Sequence, residues 1–347
     1  MVQRSRQTNT PSAPKGTIES LWNLKKQQKI VKFRRENNST NPLGGAQPHP
    51  AQVGQVLVVD LFCGMGGFSC GAARAGARVV LAVDIDPDAI AVHKMNHPTS
   101  RHLQMELGAE TEDRLVQEMR AAVGESEWHL HGSPPCTLLS PIMACNARHG
   151  GQNRDVERGL IAVKWFFSLV EKMRPTTFSF ENVRDVTLRA LLDEKQIEHG
   201  DFDFSQYGVP QTRKRLLAGS SVLIQTLKTE ERLKTEPISI EETLDCLPKN
   251  AIWMRSSAGR YHEKYYRTFD RPSWTIMTRT KPSFVSKSGT LVRVLTCDEL
   301  ALLQGFDKVY KTPVEQCSDV KWTILIGNAL PPPIADRLLR VVTRGRD

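Results

Sequence analysis

Hydrophobic residues in this chain come in short blocks separated by glycine, proline and charged positions, rather than in long amphipathic stretches. Val56 to Leu61 is a continuous run of β-branched and aliphatic residues, too short for a helix and too apolar for a half-exposed strand, the pattern of a parallel strand buried on both faces. It runs into the turn Gly64-Met65-Gly66-Gly67, after which the small residues Ser69 to Ala75 predict a tightly packed helix stopped by Gly76. A second apolar run, Val79 to Val83, ends at Asp84. Asp86-Pro87-Asp88 then reads as an N-cap, a first-turn proline and a helix reaching about Asn96. Three further strands are expected: His102 to Leu107, Trp128 to a break at Pro134-Pro135, and Thr176 to Val183. Strands that alternate with helices in this way predict an α/β fold with a doubly wound, mostly parallel sheet.

Charge changes the picture at one end only. The chain has 347 residues and a formal charge of +9. Its first 52 residues hold nine Lys and Arg against two Glu, so the leader carries +7 of that total. A basic leader rich in Pro, Asn, Gln and Ser buries little and is expected to be a disordered arm for a polyanion, or a nuclear address around Lys25 to Arg35. No apolar run reaches the length of a membrane span, and the N-terminus lacks the apolar core of a secretory signal, so an intracellular protein with no membrane partner is expected. The seven cysteines are an odd number without paired metal spacings, which predicts reduced thiols and no metal. A monomer is expected.

Candidate chemistry collects at the carboxyl ends of the predicted strands, where open α/β sheets bind ligands. Asp84 lies 20 residues beyond Gly64, where such folds hold ribose hydroxyls. The dinucleotide fingerprint is incomplete, because Ser69 occupies its third glycine position, and a partial cradle suits a nucleoside such as the adenosine of S-adenosylmethionine better than NAD. Glu106 is a candidate for the adenine. Cys136 follows two prolines that end a strand, which raises it above an ordinary core cysteine. A zinc deaminase would need a second cysteine at position 139, which is Leu139. Glu181 ends another strand and can lie beside Cys136, while Arg213 and Arg215, two apart, are expected to share one strand face and to suit phosphates or a carbonyl oxygen.

With these residues in place the chain resembles the DNA (cytosine-5) methyltransferase family. The resemblance rests on D-L-F-C-G-M-G-G at 60–67, P-P-C at 134–136, E-N-V at 181–183, Q-T-R-K-R at 211–215, L-T-x-x-E-L-x-x-L-Q-G-F at 295–306 and G-N-A-L-P-P at 327–332, in the family's order. It implies a class I methyltransferase fold, S-adenosyl-L-methionine as cofactor, double-stranded DNA as partner and a flipped-out cytosine as substrate. Cys136 is implied as the nucleophile and Glu181 as the acid at ring nitrogen 3. Arg213 would hold the carbonyl oxygen, and Asn182 and Arg215 would complete the pocket. The cofactor residues implied are Asp60, Phe62, Gly64, Gly66, Gly67, Asp84, Ile85, Glu106 and Asn328. The expected organisation is a basic arm over 1–52, a catalytic domain over 53–215, a target-recognition region over 216–292 and a C-terminal return over 293–347. The family's glutamine after the nucleophile is replaced by Thr137. Two other readings stay open at this point: a tRNA cytosine methyltransferase of the same fold, and a catalytically silent DNA-binding homologue.

Overall fold

The first apolar run forms strand β1 (Leu57–Leu61), buried at every position. In the computed structural model the described residues are 55–135, 156–231, 236–254, 266–278, 282–311 and 318–343. The basic arm and Cys136 lie outside them. After β1 come helix α1 (Gly67–Arg74), β2 (Arg78–Asp84), α2 (Pro87–Asn96) and β3 (Arg101–Gln104). The chain continues through α3 (Glu112–Val123), β4 (Trp128–Gly132), α4 (Val156–Met173), β5 (Thr177–Asn182), α5 (Val186–Glu194) and β6 (Glu198–Asp203). Helix starts follow local chemistry. Asp86 caps α2 by accepting from the Asp88 N–H, with Pro87 at the first turn, and Asp185 caps α5 by accepting from Thr187 and Leu188.

A short β7 (Gln211–Thr212) precedes β8 (Lys214–Gly219). The main sheet has the order β3-β2-β1-β4-β5-β8-β6, parallel except that β8 runs antiparallel between β5 and β6. The doubly wound sheet read from the sequence is therefore present, with its change of direction between β1 and β4. Alternation along β1 divides the apolar core: Leu57, Val59 and Leu61 face one layer with Leu115, Trp165 and Phe166, whereas Val58 faces the other with Phe68, Leu217 and Leu338. Asp60 interrupts that second face with a buried carboxyl group.

Helix α6 (Ser221–Glu231) and the short α7 (Ile240–Thr243) lead to a smaller sheet built from β9 (Ala251–Met254), β10 (Tyr266–Arg267), β12 (Ser283–Ser286) and β13 (Leu291–Val294), while β11 (Ser273–Trp274) pairs with β7. The expected boundary at 216 falls inside β8, a strand of the main sheet, and the boundary at 293 falls inside β13 of the small one. Both differ from expectation because strand pairing between distant segments, rather than the motif positions, decides where a layer ends. Helices α8 (Cys297–Leu303), α9 (Asp319–Asn328) and α10 (Pro332–Thr343) return the chain to the main sheet. Among the described residues no helix is long and apolar enough to cross a membrane.

Candidate functional site

The turn after β1 is built by unusual backbone angles. Phe62 has φ 58°, a left-handed conformation that costs a bulky residue energy, and Gly64 and Gly66 follow at 53° and 98°. The ring of Phe62 meets Trp165 edge-on with centroids 6.2 Å apart, and the Phe62 carbonyl accepts from Ser133 Oγ at 3.2 Å, which ties the turn to the exit of β4. The three glycines do different things. A side chain on Gly66 would meet the Tyr310 hydroxyl at 2.7 Å, and one on Gly67 would meet the Leu330 carbonyl at 2.0 Å, so these two admit other parts of the protein. Gly64 has nothing within 4 Å on that side. Of the three, it is the glycine with open space beside it among the described residues.

Asp84 stands opposite this opening at the end of β2. Its Oδ2 accepts from the Gly64 N–H at 2.8 Å and its Oδ1 from the Asp86 N–H at 2.9 Å. Burial pushes its pKa up, and these two N–H groups only partly offset that. The neighbouring Ile85 is 58% exposed, an apolar surface laid beside a carboxylate at a strand edge. Lys321 at the start of α9 pairs with Asp86 at 2.6 Å, and Asn328 stands exposed at the same helix's other end. Glu106 is exposed, two residues past the end of β3. An open glycine, an anchored carboxylate and an exposed aliphatic side chain together fit a nucleoside. Asp60, on β1 just before the turn, is fully buried.

At the adjacent strand ends, Glu181 is buried to 8% exposure and Asn182 to 1%. Asn182 Nδ2 donates to the Pro134 carbonyl at 3.1 Å, two positions before Cys136 in the chain, so the ends of β4 and β5 are held together. Arg215 Nε lies 3.1 Å from Glu181 Oε1. That is ion-pair distance, yet the N–H is not aimed at the oxygen, and among the described residues Oε1 is buried without an aligned hydrogen-bond donor. An orphaned acceptor of this kind is costly unless a ligand completes it. Cys63 and Cys70, the buried cysteines among the described residues, have thiols pushed up by burial, Cys70 to about 11, so neither offers a ready thiolate.

The two arginines do not share a face. The strand breaks at Arg213, between β7 and β8, and Arg215 lies against Glu181. Arg213 is 3% exposed and donates to the carbonyls of Ile276 at 3.4 Å and Gly327 at 3.0 Å. The expectation of a common face assumes one continuous strand; the two terminal nitrogens of the buried guanidinium donate instead to the segment around 276 and the end of α9. Gln211 works in the same seam. It donates to the Leu303 carbonyl at 3.0 Å and to Gln304 Oε1 at 2.6 Å, and accepts from the Ile276 N–H at 3.0 Å. Gln304 in turn donates to the Ala329 carbonyl at 2.5 Å. Sequence reasoning assigns no role to Gln211 or Gln304, although they stand inside the motifs at 211–215 and 295–306, because a buried amide that stitches backbone segments leaves no periodic signal.

A doubly wound sheet with an open glycine turn after β1 and an acid at the end of β2 is the class I methyltransferase arrangement. The family model for C-5 cytosine-specific DNA methylase matches residues 56–220 and 218–344, and the chain belongs to that family. Among relatives, the Type II methyltransferase M.HindV of Haemophilus influenzae is 27% identical over 308 residues, covering 80% of this chain and 93% of that protein. M.XorII of Xanthomonas oryzae pv. oryzae is 33% identical over 174 residues, covering 46% of this chain, and the alignment spans only 39% of that relative's length. Among solved structures, S. pombe Dnmt2 methyltransferase superposes with a TM-score of 0.61 at 16% identity, covering 84% of this chain and 99% of that one. A putative DNA modification methyltransferase encoded in an E. coli prophage gives 0.58 at 21% identity, with the same 84% and 99% coverage. At these identities the superpositions speak for the fold.

Proposed function

We propose that this protein methylates carbon 5 of cytosine in double-stranded DNA, using S-adenosylmethionine. When bound, that cofactor supplies an electrophilic methyl group on a sulfonium. Carbon 5 of cytosine is a weak nucleophile, and the role of Cys136 is to add its thiolate to carbon 6 and so turn the ring into an enamine. Glu181 assists by giving a proton or strong hydrogen bond to ring nitrogen 3. Arg215, rather than Arg213, holds the base's carbonyl oxygen and orients Glu181, because it is the arginine beside that carboxylate. Arg213, with Gln211, is assigned to fixing the recognition region against the catalytic sheet. Asn182 holds the chain just before the nucleophile. Once carbon 5 carries the methyl group, a base removes the proton left on that carbon and the carbon 6–sulfur bond breaks, which returns the thiolate. The cytosine must swing out of the duplex, at a cost of a few kcal/mol that contacts to DNA and base offset.

The observation that carries this reading is the buried Glu181 oxygen, without an aligned donor among the described residues, at the strand edge tied to the residues before Cys136. Incubation of the protein with labelled cofactor and either unmethylated duplex DNA or tRNA tests it. Label in DNA, mapped to cytosine by bisulfite sequencing, is the expected result; label in tRNA alone overturns the substrate assignment.

Asp84, Ile85 and Phe62 are proposed to hold the adenosine. Asp84→Ala is expected to weaken cofactor binding by about 1 to 3 kcal/mol through loss of charge-assisted bonds to the ribose. Unchanged affinity by calorimetry refutes the ribose contact. The basic arm is proposed to grip phosphates. Deleting residues 1–50 then weakens binding to all duplexes alike and preserves sequence preference. It also makes log affinity against log salt shallower by about 0.9 for each phosphate that the arm neutralises. Superimposable salt dependences, measured by fluorescence anisotropy on two unrelated duplexes, leave the arm as an address only.

A further inference from the structure

Behind the glycine turn a chain of polar side chains crosses otherwise apolar packing. Ser69 Oγ in α1 donates to Asp60 Oδ2 at 2.6 Å. The same hydroxyl lies 2.9 Å from His93 Nε2 in α2, and His93 Nδ1 lies 2.9 Å from His102 Nε2 in β3. Asp60, Ser69 and His93 are fully buried, whereas His102 is half-buried at the sheet's edge strand. Asp60 Oδ1 has no hydrogen-bond partner among the described residues. A carboxylate enclosed in this way is costly to ionise, and nothing in the proposed methyl transfer uses it.

We propose that Asp60 is a counter-charge for the cationic methyl donor, and that Ser69, His93 and His102 carry its proton to and from solvent. The proposal rests on the cofactor reading of the turn. It makes Asp60 specificity-determining: the ionised carboxylate favours the sulfonium of the donor and gives no such advantage to the neutral product, S-adenosylhomocysteine. The cause is Coulombic attraction inside a poorly screened interior.

The chain's geometry permits the transfer with every proton accounted for. In the protonated form Asp60 donates to Ser69, Ser69 to His93 Nε2, and His93 Nδ1 to His102 Nε2. Moving one proton along each link leaves Asp60 ionised and reverses each donor. His102 then carries both ring protons, and releases one to solvent. The tautomers of His93 differ between the two forms, which makes the shift observable. The groups around the chain suit it. Burial, with Asp84 on the neighbouring strand as a further contributor, pushes Asp60 up to about 7. Burial, Lys94 and His97 hold His102 down at about 4, so it passes a proton on rather than keeping it near neutral pH. His93 is held well below its ordinary value by burial and by His97 and His102, so it serves as a neutral link. His131, in register with Asp60 on β4, is likewise kept neutral, and burial keeps Cys63 and Tyr310 protonated.

Calorimetric titration of the full chain tests the idea, with the donor and the product each measured in two buffers of different ionisation enthalpy. At pH 6.5 the donor is expected to release most of one proton and the product almost none. The ratio of donor to product affinity should rise up to about tenfold per pH unit below pH 7 and level off above it. Taking the ratio cancels any contribution from Asp84, since both ligands share the ribose. Asp60→Asn should abolish the difference in proton release and flatten the ratio. Nitrogen NMR of His93 in the ligand-free wild type offers a readout independent of that variant's folding: the ring proton should move from Nδ1 to Nε2 as pH rises through 7. Equal proton release by donor and product, or a single His93 tautomer across that range, overturns the proposal and leaves the cofactor site standing. Failure to bind either ligand overturns both. A merely structural hydrogen-bond chain would exchange no proton on binding.

Discussion

Cys136→Ser is expected to lower methyl transfer by about 10³- to 10⁶-fold, the range seen when an enzyme's nucleophile is removed from an otherwise intact site. Serine's hydroxyl is far less acidic than a thiol and, without an adjacent base, stays protonated at neutral pH, so addition to carbon 6 fails while the shape of the site is kept. Affinity for duplex DNA and for the cofactor should stay within about twofold, since the substitution removes an interaction made only on the way to the transition state. The buried cysteines Cys63 and Cys70 do not substitute, because burial holds their thiols protonated. Single-turnover transfer of labelled methyl groups, with binding measured separately, checks the expectation. Transfer at the wild-type rate would remove Cys136 from the mechanism.

Gly71→Ala is expected to destabilise the fold by about 3 kcal/mol or more, at the upper end of overpacking costs. A methyl group there would lie 2.3 Å from the Pro332 carbonyl, 2.6 Å from Ala335 Cβ and 2.7 Å from the Asp336 N–H, so backbone, rather than a flexible side-chain end, would have to move. This close approach matters because it presses α1, which follows the glycine turn, against α10, which follows the Gly327-to-Pro332 segment. Gly108→Ala is the comparison: its backbone is extended, with φ 175°, and nothing lies within 4 Å of the added methyl. Urea unfolding should show a clearly lower midpoint for Gly71→Ala and an almost unchanged one for Gly108→Ala. Equal midpoints would mean that the two helices can separate at little cost, and that the tight seam is not what holds the last segment in place.

The local elements are legible in the chain itself. A run such as Val56 to Leu61 has one economical use, a strand with both faces covered, and Asp86-Pro87-Asp88 starts a helix because a side-chain oxygen next to a proline satisfies the orphan N–H groups there. The positions of Asp84 and Glu181 at strand ends follow from the same reasoning, since a charged residue ends a buried run. What no local pattern carries is which distant segments meet. The sequence does not reveal that β8 enters the main sheet between β5 and β6, so the expected boundary at 216 cuts through a strand. Nor does spacing distinguish Arg213, turned into a seam of backbone carbonyls, from Arg215, beside Glu181. The same holds for the path from Asp60 to His102. Its four members stand on β1, α1, α2 and β3 and share no spacing rule. Periodicity records which face of an element is buried; partner choice among buried polar groups depends on hydrogen-bond geometry between elements, and that exists only after the chain has folded.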